Sequence, residues 1–160
     1  MAQLQTALDA QNIDVRVINA SVSGDTSGDG LERLDWALAD TPDAVILGLG
    51  ANDMLQGISP DLVRKNLSQI LATLDTKKVP VLLAGMMANR ALGHDYVTKF
   101  DAIYPDLAEQ YGAILYPFYL DGVALDPALN QPDLRHPNAA GVNKIVAAIL
   151  PYVARLLERP

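Results

Sequence analysis

The chain has no cysteine, two histidines and one tryptophan among its 160 residues. Without cysteine, disulfides, thiolate metal sites and cysteine nucleophiles are excluded. Basic residues are few, twelve against nineteen acidic ones, and they are never clustered beyond a doublet such as Lys77-Lys78. A phosphate-binding face needs grouped Lys and Arg, so nucleic acid and anionic membranes are not expected as partners. No low-complexity or charge-dense segment interrupts the chain, and no apolar run looks long enough to cross a bilayer. The N-terminal MAQLQTALDAQ is amphipathic and polar, unlike a secretory signal. What the chain does have is apolar residues, half of the total, in a length that suits one core and one domain over residues 1–160.

Those apolar residues alternate between two periodicities. Short runs at Asp14–Ala20 (DVRVINA), Asp43–Gly50 (DAVILGLG), Val79–Gly85 (VPVLLAG) and Ala113–Phe118 (AILYPF) predict strands. The 43–50 run is continuous enough to predict burial on both faces. Between them lie helical spacings: Leu4 and Leu8; Leu31, Leu34 and Leu38; Leu62, Asn66, Ile70 and Leu74, with Val63, Leu67 and Leu71 beside them; Val97, Phe100, Ile103, Tyr104 and Leu107; and Val142, Ile145, Val146, Ile149 and Val153. Such alternation predicts an α/β fold with a parallel sheet and helices on both faces. Opening on a helix is unusual for such a fold, whose first strand is commonly central.

Ligands in open α/β sheets bind beyond the carboxyl ends of the strands. Three segments lie there. The first, Ser21-Val22-Ser23-Gly24-Asp25-Thr26-Ser27-Gly28, can present a backbone N–H to a developing oxyanion, or act as a capped loop. The second, Gly48-Leu49-Gly50-Ala51-Asn52-Asp53, offers the Asn52 amide as an oxyanion donor, with Asp53 to cap or orient the loop; Asn-Asp is also a common turn. The third, Asp133-Leu134-Arg135-His136-Pro137-Asn138, puts a carboxylate three residues before a histidine, where it can fix the ring tautomer and leave the other nitrogen as a general base. His94 has no matching partner and is read as an ordinary loop residue.

Taken together, NASVSGDTSGDGLERL, GLGANDML and DLRHPN resemble the ordered blocks of the SGNH hydrolases, or GDSL-type esterases and lipases. VINASVSGDTS, IYPDLAEQY and YPF are similar to the bacterial thioesterase/lysophospholipase/arylesterase branch. The resemblance implies a flavodoxin-like three-layer sandwich and a serine hydrolase of small esters or thioesters, with no cofactor and no metal. It implies Gly24 and Asn52 as oxyanion donors and Asp133 and His136 as the catalytic dyad. Members of the branch are often exported, which leaves the compartment of this chain open.

One block of the family pattern is not found. The family opens with a strand ending in Gly-Asp-Ser-Leu, whose serine is the nucleophile; no Gly-Asp-Ser occurs in this chain. Met1 falls where the family's first helix is already under way. The expectation is a domain incomplete at its N-terminus, lacking the usual first strand and inactive as it stands. The alternatives are a non-catalytic, truncated or degenerate relative, or a fragment completed by another chain. Thr26 or Ser27 as substitute nucleophile is disfavoured, because one loop would have to hold donor and nucleophile on opposite sides of one carbonyl. A generic flavodoxin-like domain cradling phosphate on SGDTSGDG ranks below these, since it has neither the Lys of a Walker loop nor a dinucleotide fingerprint.

The absent strand would lie between those at Val15 and Ala44. Its place is expected to be filled by another segment or chain, or closed by the two flanking strands moving together. Unpaired edges would also favour a homo-oligomer or strand exchange.

Overall fold

The computed structural model describes residues 2–159; Met1, on which the expectation about the chain start rested, lies outside them. Three strands form the sheet: β1 (Val45–Leu47), β2 (Val81–Ala84) and β3 (Ile114–Tyr116). They are parallel in the order β1-β2-β3, with Val45 opposite Val81 and Leu82 opposite Ile114. Period-two side-chain alternation divides them between two cores. Leu47, Val81 and Leu83 join one apolar cluster, and Leu82, Ile114 and Tyr116 join the other.

Helices cover both faces, as the alternating pattern predicts. On one side lie α1 (Ala2–Ala10), with Leu4 and Leu8 buried, and the last helix, α8 (Ala139–Leu157). On the other lie α2 (Ser27–Glu32), α3 (Leu34–Ala37), α5 (Pro60–Thr76), α6 (His94–Asp101) and α7 (Ile103–Tyr111). The spacing that predicts one second helix resolves into α2 and α3, and that predicting a fourth into α6 and α7. Of the residues expected on the buried side of α5, Val63, Asn66, Leu67, Ile70, Leu71 and Leu74 are buried, and only Leu62 is exposed.

Two corrections concern strands. Residues 14–20 form no strand. Val15 and Val17 do alternate inward, toward the α1–α8 cluster, as the pattern predicts. Their backbone, however, is taken by α1: Gln5 Nε2 donates to Val15 O and Val17 N donates to Gln5 Oε1, both at 2.8 Å. Extended chain becomes a strand only beside a ladder partner, and none lies beside it here. The 43–50 run is not buried on both faces either, since Val45 and Ile46 are only half-buried. Among the described residues β1 pairs with β2 alone. Among the described residues no strand pairs with β1 on the side away from β2, neither a filling segment nor residues 14–20.

The expectation that no apolar run could span a bilayer also needs amending. α8 has 19 residues and a mean hydropathy of 1.4, long and apolar enough by those measures. Its buried residues Gly141, Ile145, Ile149, Val153 and Leu156 make one stripe packed on the sheet and α1, while Lys144 and Arg155 are exposed. That is the pattern of a helix docked on a sheet.

Candidate active site

The loop from β3 to α8 carries Asp133 and His136. Asn138 caps α8, accepting from Ala140 N (2.9 Å) and Gly141 N (3.0 Å), while its amide donates to Ala128 O and Asn130 O. Asn130, buried, donates in turn to Val123 O (2.5 Å) and Asp126 O (2.8 Å). Gly141 lets the chain pass close over Leu129, whose carbonyl would collide with any Cβ there. On this base Gln131 N donates to His136 O at 2.7 Å, closing the turn. Leu134 takes φ +55, the reversal that brings Asp133 back under the His136 ring.

Asp133 Oδ2 lies 2.6 Å from His136 Nδ1, and Asp133 Oδ1 accepts from the backbone N–H of Arg135 (3.0 Å) and His136 (3.1 Å). The His136 ring bond, then those two N–H groups, hold the Asp133 carboxyl well below the usual carboxylate range. An ionised carboxylate only accepts, so Nδ1 carries a proton, and in the neutral ring the lone pair then lies on Nε2. The His136 side chain is 67% exposed, open to a reacting group.

The two other predicted residues are linked through Asp25, the neighbour of Gly24. Gly24 sits at φ +92 on an exposed turn, and its N–H has no acceptor among the described residues. Asn52 lies in α4 (Ala51–Leu55), a short helix unforeseen in the sequence, just beyond β1. One of its amide hydrogens goes to Asp25 O at 2.8 Å, beside Gly24; the other has no acceptor among the described residues. Gly50, at φ +107, starts α4, and the Tyr104 hydroxyl fills the place where a side chain would be while donating to Leu49 O (2.9 Å). Burial, then the charge of Asp53, push the Tyr104 phenol upward, so it stays a neutral donor. No hydrogen bond among the described residues joins His136 to Gly24 or Asn52.

The alternative nucleophiles are engaged elsewhere. Thr26 caps α2 in a reciprocal box with Asp29. Ser27 is fully buried, its hydroxyl 2.5 Å from Asp53 Oδ1. His94, read as a loop residue, instead opens α6, 90% exposed, with Nδ1 3.6 Å from Asp95.

Sequence reasoning missed two links. Arg33 pairs with Asp25 through Nε and donates to Ala20 O at 2.6 Å, bracing the Gly24 turn. Asn66 Nδ2 donates to Ser27 Oγ at 3.1 Å. Its signal was present as a polar residue inside the apolar stripe of α5.

A three-layer parallel α/β fold bearing an Asp-x-x-His loop before the last helix, with a glycine turn and an asparagine beyond earlier elements, defines the SGNH-hydrolase class. Residues 1–144 match the GDSL-like Lipase/Acylhydrolase family, and the chain belongs to it. It is 35% identical to Esterase TesA of Pseudomonas aeruginosa over 158 residues, 98% of this chain and 79% of that protein. It is 40% identical to Thioesterase 1/protease 1/lysophospholipase L1 of Escherichia coli K12 over 123 residues, 76% of this chain and 59% of that protein's length. Among solved structures it is similar to AlinE4, an SGNH-hydrolase family esterase, with 48% identity and a TM-score of 0.79, covering 98% of this chain and 84% of that one.

Proposed function

We propose that this chain supplies the acid–base dyad and oxyanion donors of a serine hydrolase that transfers acyl groups from small esters or thioesters to water. The observation that carries this reading is the 2.6 Å Asp133–His136 pair on an exposed loop, with Asp133 held ionised. His136 Nε2 takes the proton of a serine hydroxyl as that oxygen attacks the acyl carbonyl. Gly24 N–H and Asn52 Nδ2 hold the oxygen that gains negative charge. The tetrahedral adduct then collapses as His136 returns the proton to the leaving alcohol or thiol, and water repeats the sequence on the acyl-serine. Asp133 keeps the ring in one tautomer and stabilises the imidazolium. The relatives, named as esterase and as thioesterase/lysophospholipase, support the ester and thioester classes. No metal or cofactor enters these steps.

The serine belongs, in this reading, to a strand ending in Gly-Asp-Ser that is not among the 160 residues and would lie along the unpaired edge of β1. The purified chain is therefore expected to turn over a p-nitrophenyl ester at no more than the residual rate left when a triad member is removed. Turnover at an ordinary esterase rate, abolished by Thr26→Ala or Ser27→Ala, would sink this assignment. In a protein that also carries the Gly-Asp-Ser strand, His136→Ala and Asp133→Ala are expected to cut kcat sharply, and Asn52→Ala by about 10²–10³. Full activity in His136→Ala would overturn the dyad.

A second reading is a non-catalytic relative. It is favoured by one observation: no hydroxyl among the described residues reaches His136, and Ser27 is spent on Asp53. Restored turnover on adding the serine strand decides against it.

A further inference from the structure

Asp53 is a fully buried carboxylate that the proposed acyl transfer does not use. Its Oδ2 accepts Ser27 N–H at 2.7 Å and its Oδ1 accepts the Ser27 hydroxyl at 2.5 Å. No Lys, Arg or His pairs with it among the described residues. A carboxylate is costly to bury without a cation, and a stretch needing only filler would be served by an apolar residue. A carboxylate offers two acceptor oxygens at fixed geometry, and both grip one residue, Ser27. Asn66 closes the cluster from α5 by donating to Ser27 Oγ.

We propose that Asp53, through Ser27, is a positioning residue: with Asn52 it clamps α4 to the turn at 24–27 and sets the separation of the Gly24 and Asn52 donors. The proposal rests on the reading of those two residues as the oxyanion pair.

The clamp has two points on each side. Asn52 and Asp53 are neighbours on α4; Asp25 and Ser27 flank Thr26 at the start of α2. Asn52 holds Asp25 O, and Asp53 holds Ser27 at both N and Oγ. Two points fix a rotation as well as a distance, where one bond would fix the distance alone. Arg33 braces the far side of the same turn through the Asp25 carboxylate and Ala20 O. The space where a Gly24 side chain would stand is open, with nothing within 4 Å of a Cβ built there, and the Gly24 N–H has no acceptor among the described residues. Its place is set through its neighbours. Donors fixed before reaction need no reorganisation as the oxyanion forms.

The test reads the donors directly, in the chain as it is. In ¹H–¹⁵N spectra the Asn52 side-chain amide should show one hydrogen protected from exchange by Asp25 O. Asp53→Asn puts an amide in the carboxylate's place, so one Ser27 donor faces another donor. We expect the protein to melt cooperatively still, the Asn52 amide to lose protection by about tenfold, the factor for losing one local hydrogen bond, and the Gly24 N–H signal to shift. Ser27→Ala, which keeps the backbone bond and removes the hydroxyl, should give a smaller change of the same kind and keeps the test open if Asp53→Asn does not fold. The Asn138 side-chain amide, at the other end of the site, should not respond. Unchanged Gly24 and Asn52 signals in a folded variant would overturn the proposal. In a serine-bearing form, Asp53→Asn should lower kcat and leave KM in place. If there Asn52→Ala leaves kcat intact while the spectra respond to Asp53→Asn, the oxyanion reading fails and the clamp stands.

Discussion

At the scale of single residues, the site depends on backbone that only particular side chains permit. Gly50 has φ +107, and the Tyr104 hydroxyl fills the place where a Cβ would stand. Gly50→Ala is expected to lose about 1–3 kcal/mol through strain and overpacking. In Tyr104→Phe the Leu49 carbonyl loses its donor, at a cost of about 1–2 kcal/mol. Urea unfolding of the two variants checks both. Asp133 makes a different prediction. Its folded pKa is depressed, so its contribution to stability is present above the unfolded value, about 3.9, and is lost as pH falls through the folded one. The Asp133–His136 pair should accordingly persist at pH values where ordinary carboxyls are protonated. A ¹³C titration of the Asp133 carboxyl tests this; a midpoint in the usual carboxylate range refutes it.

At the scale of elements, α8 and the loop before it form one unit through Asn138. This residue caps the helix with its oxygen and holds Ala128 and Asn130 with its amide. An ordinary cap is worth about 1 kcal/mol, and the two amide bonds add to that. Asn138→Ala is expected to lower stability by about 2–3 kcal/mol and to loosen the dyad's loop, seen as broadening of the His136 ring signals. A loss confined to the helix, with those signals unchanged, would show that the loop holds itself. α4 matters for the opposite reason. Five residues long, it makes its contribution through the polar residues Asn52 and Asp53, which tie it to the turn at 24–27.

At the scale of the whole molecule, β1 has no partner on its side away from β2 among the described residues. Val45 donates to Pro80 O, so the backbone groups of Ala44 and Ile46 face away from β2. Residues 14–20 make no ladder with that edge: Val15, Val17 and Ala20 are half-buried, while Asp14, Arg16, Ile18 and Asn19 are exposed. Open edges of apolar strands recruit further strands. Light scattering of the purified chain at rising concentration is expected to show self-association. Ala44→Pro, which removes one outward N–H at the start of β1, should weaken it. A monomer across the whole range would mean that the edge is shielded by its twist and brevity.

The sequence by itself determined what is local. Hydrophobic period sorted the chain into an α/β order, because burying one face of a helix or both faces of a strand leaves a pattern in the chain itself. Asp133 and His136 were legible for the same reason: three residues apart on one turn, they need no other element to meet. Only the tertiary structure decided what depends on distant partners. Val15 and Val17 alternate as a strand would, yet a strand exists only where another lies beside it, and Gln5 took their backbone instead. Asp53, Ser27 and Asn66 are 26 and 39 residues apart along the chain. Nothing in their spacing foretold that they would share one buried cluster, because a hydrogen bond inside the core is made by packing, after the helices that carry it have come together.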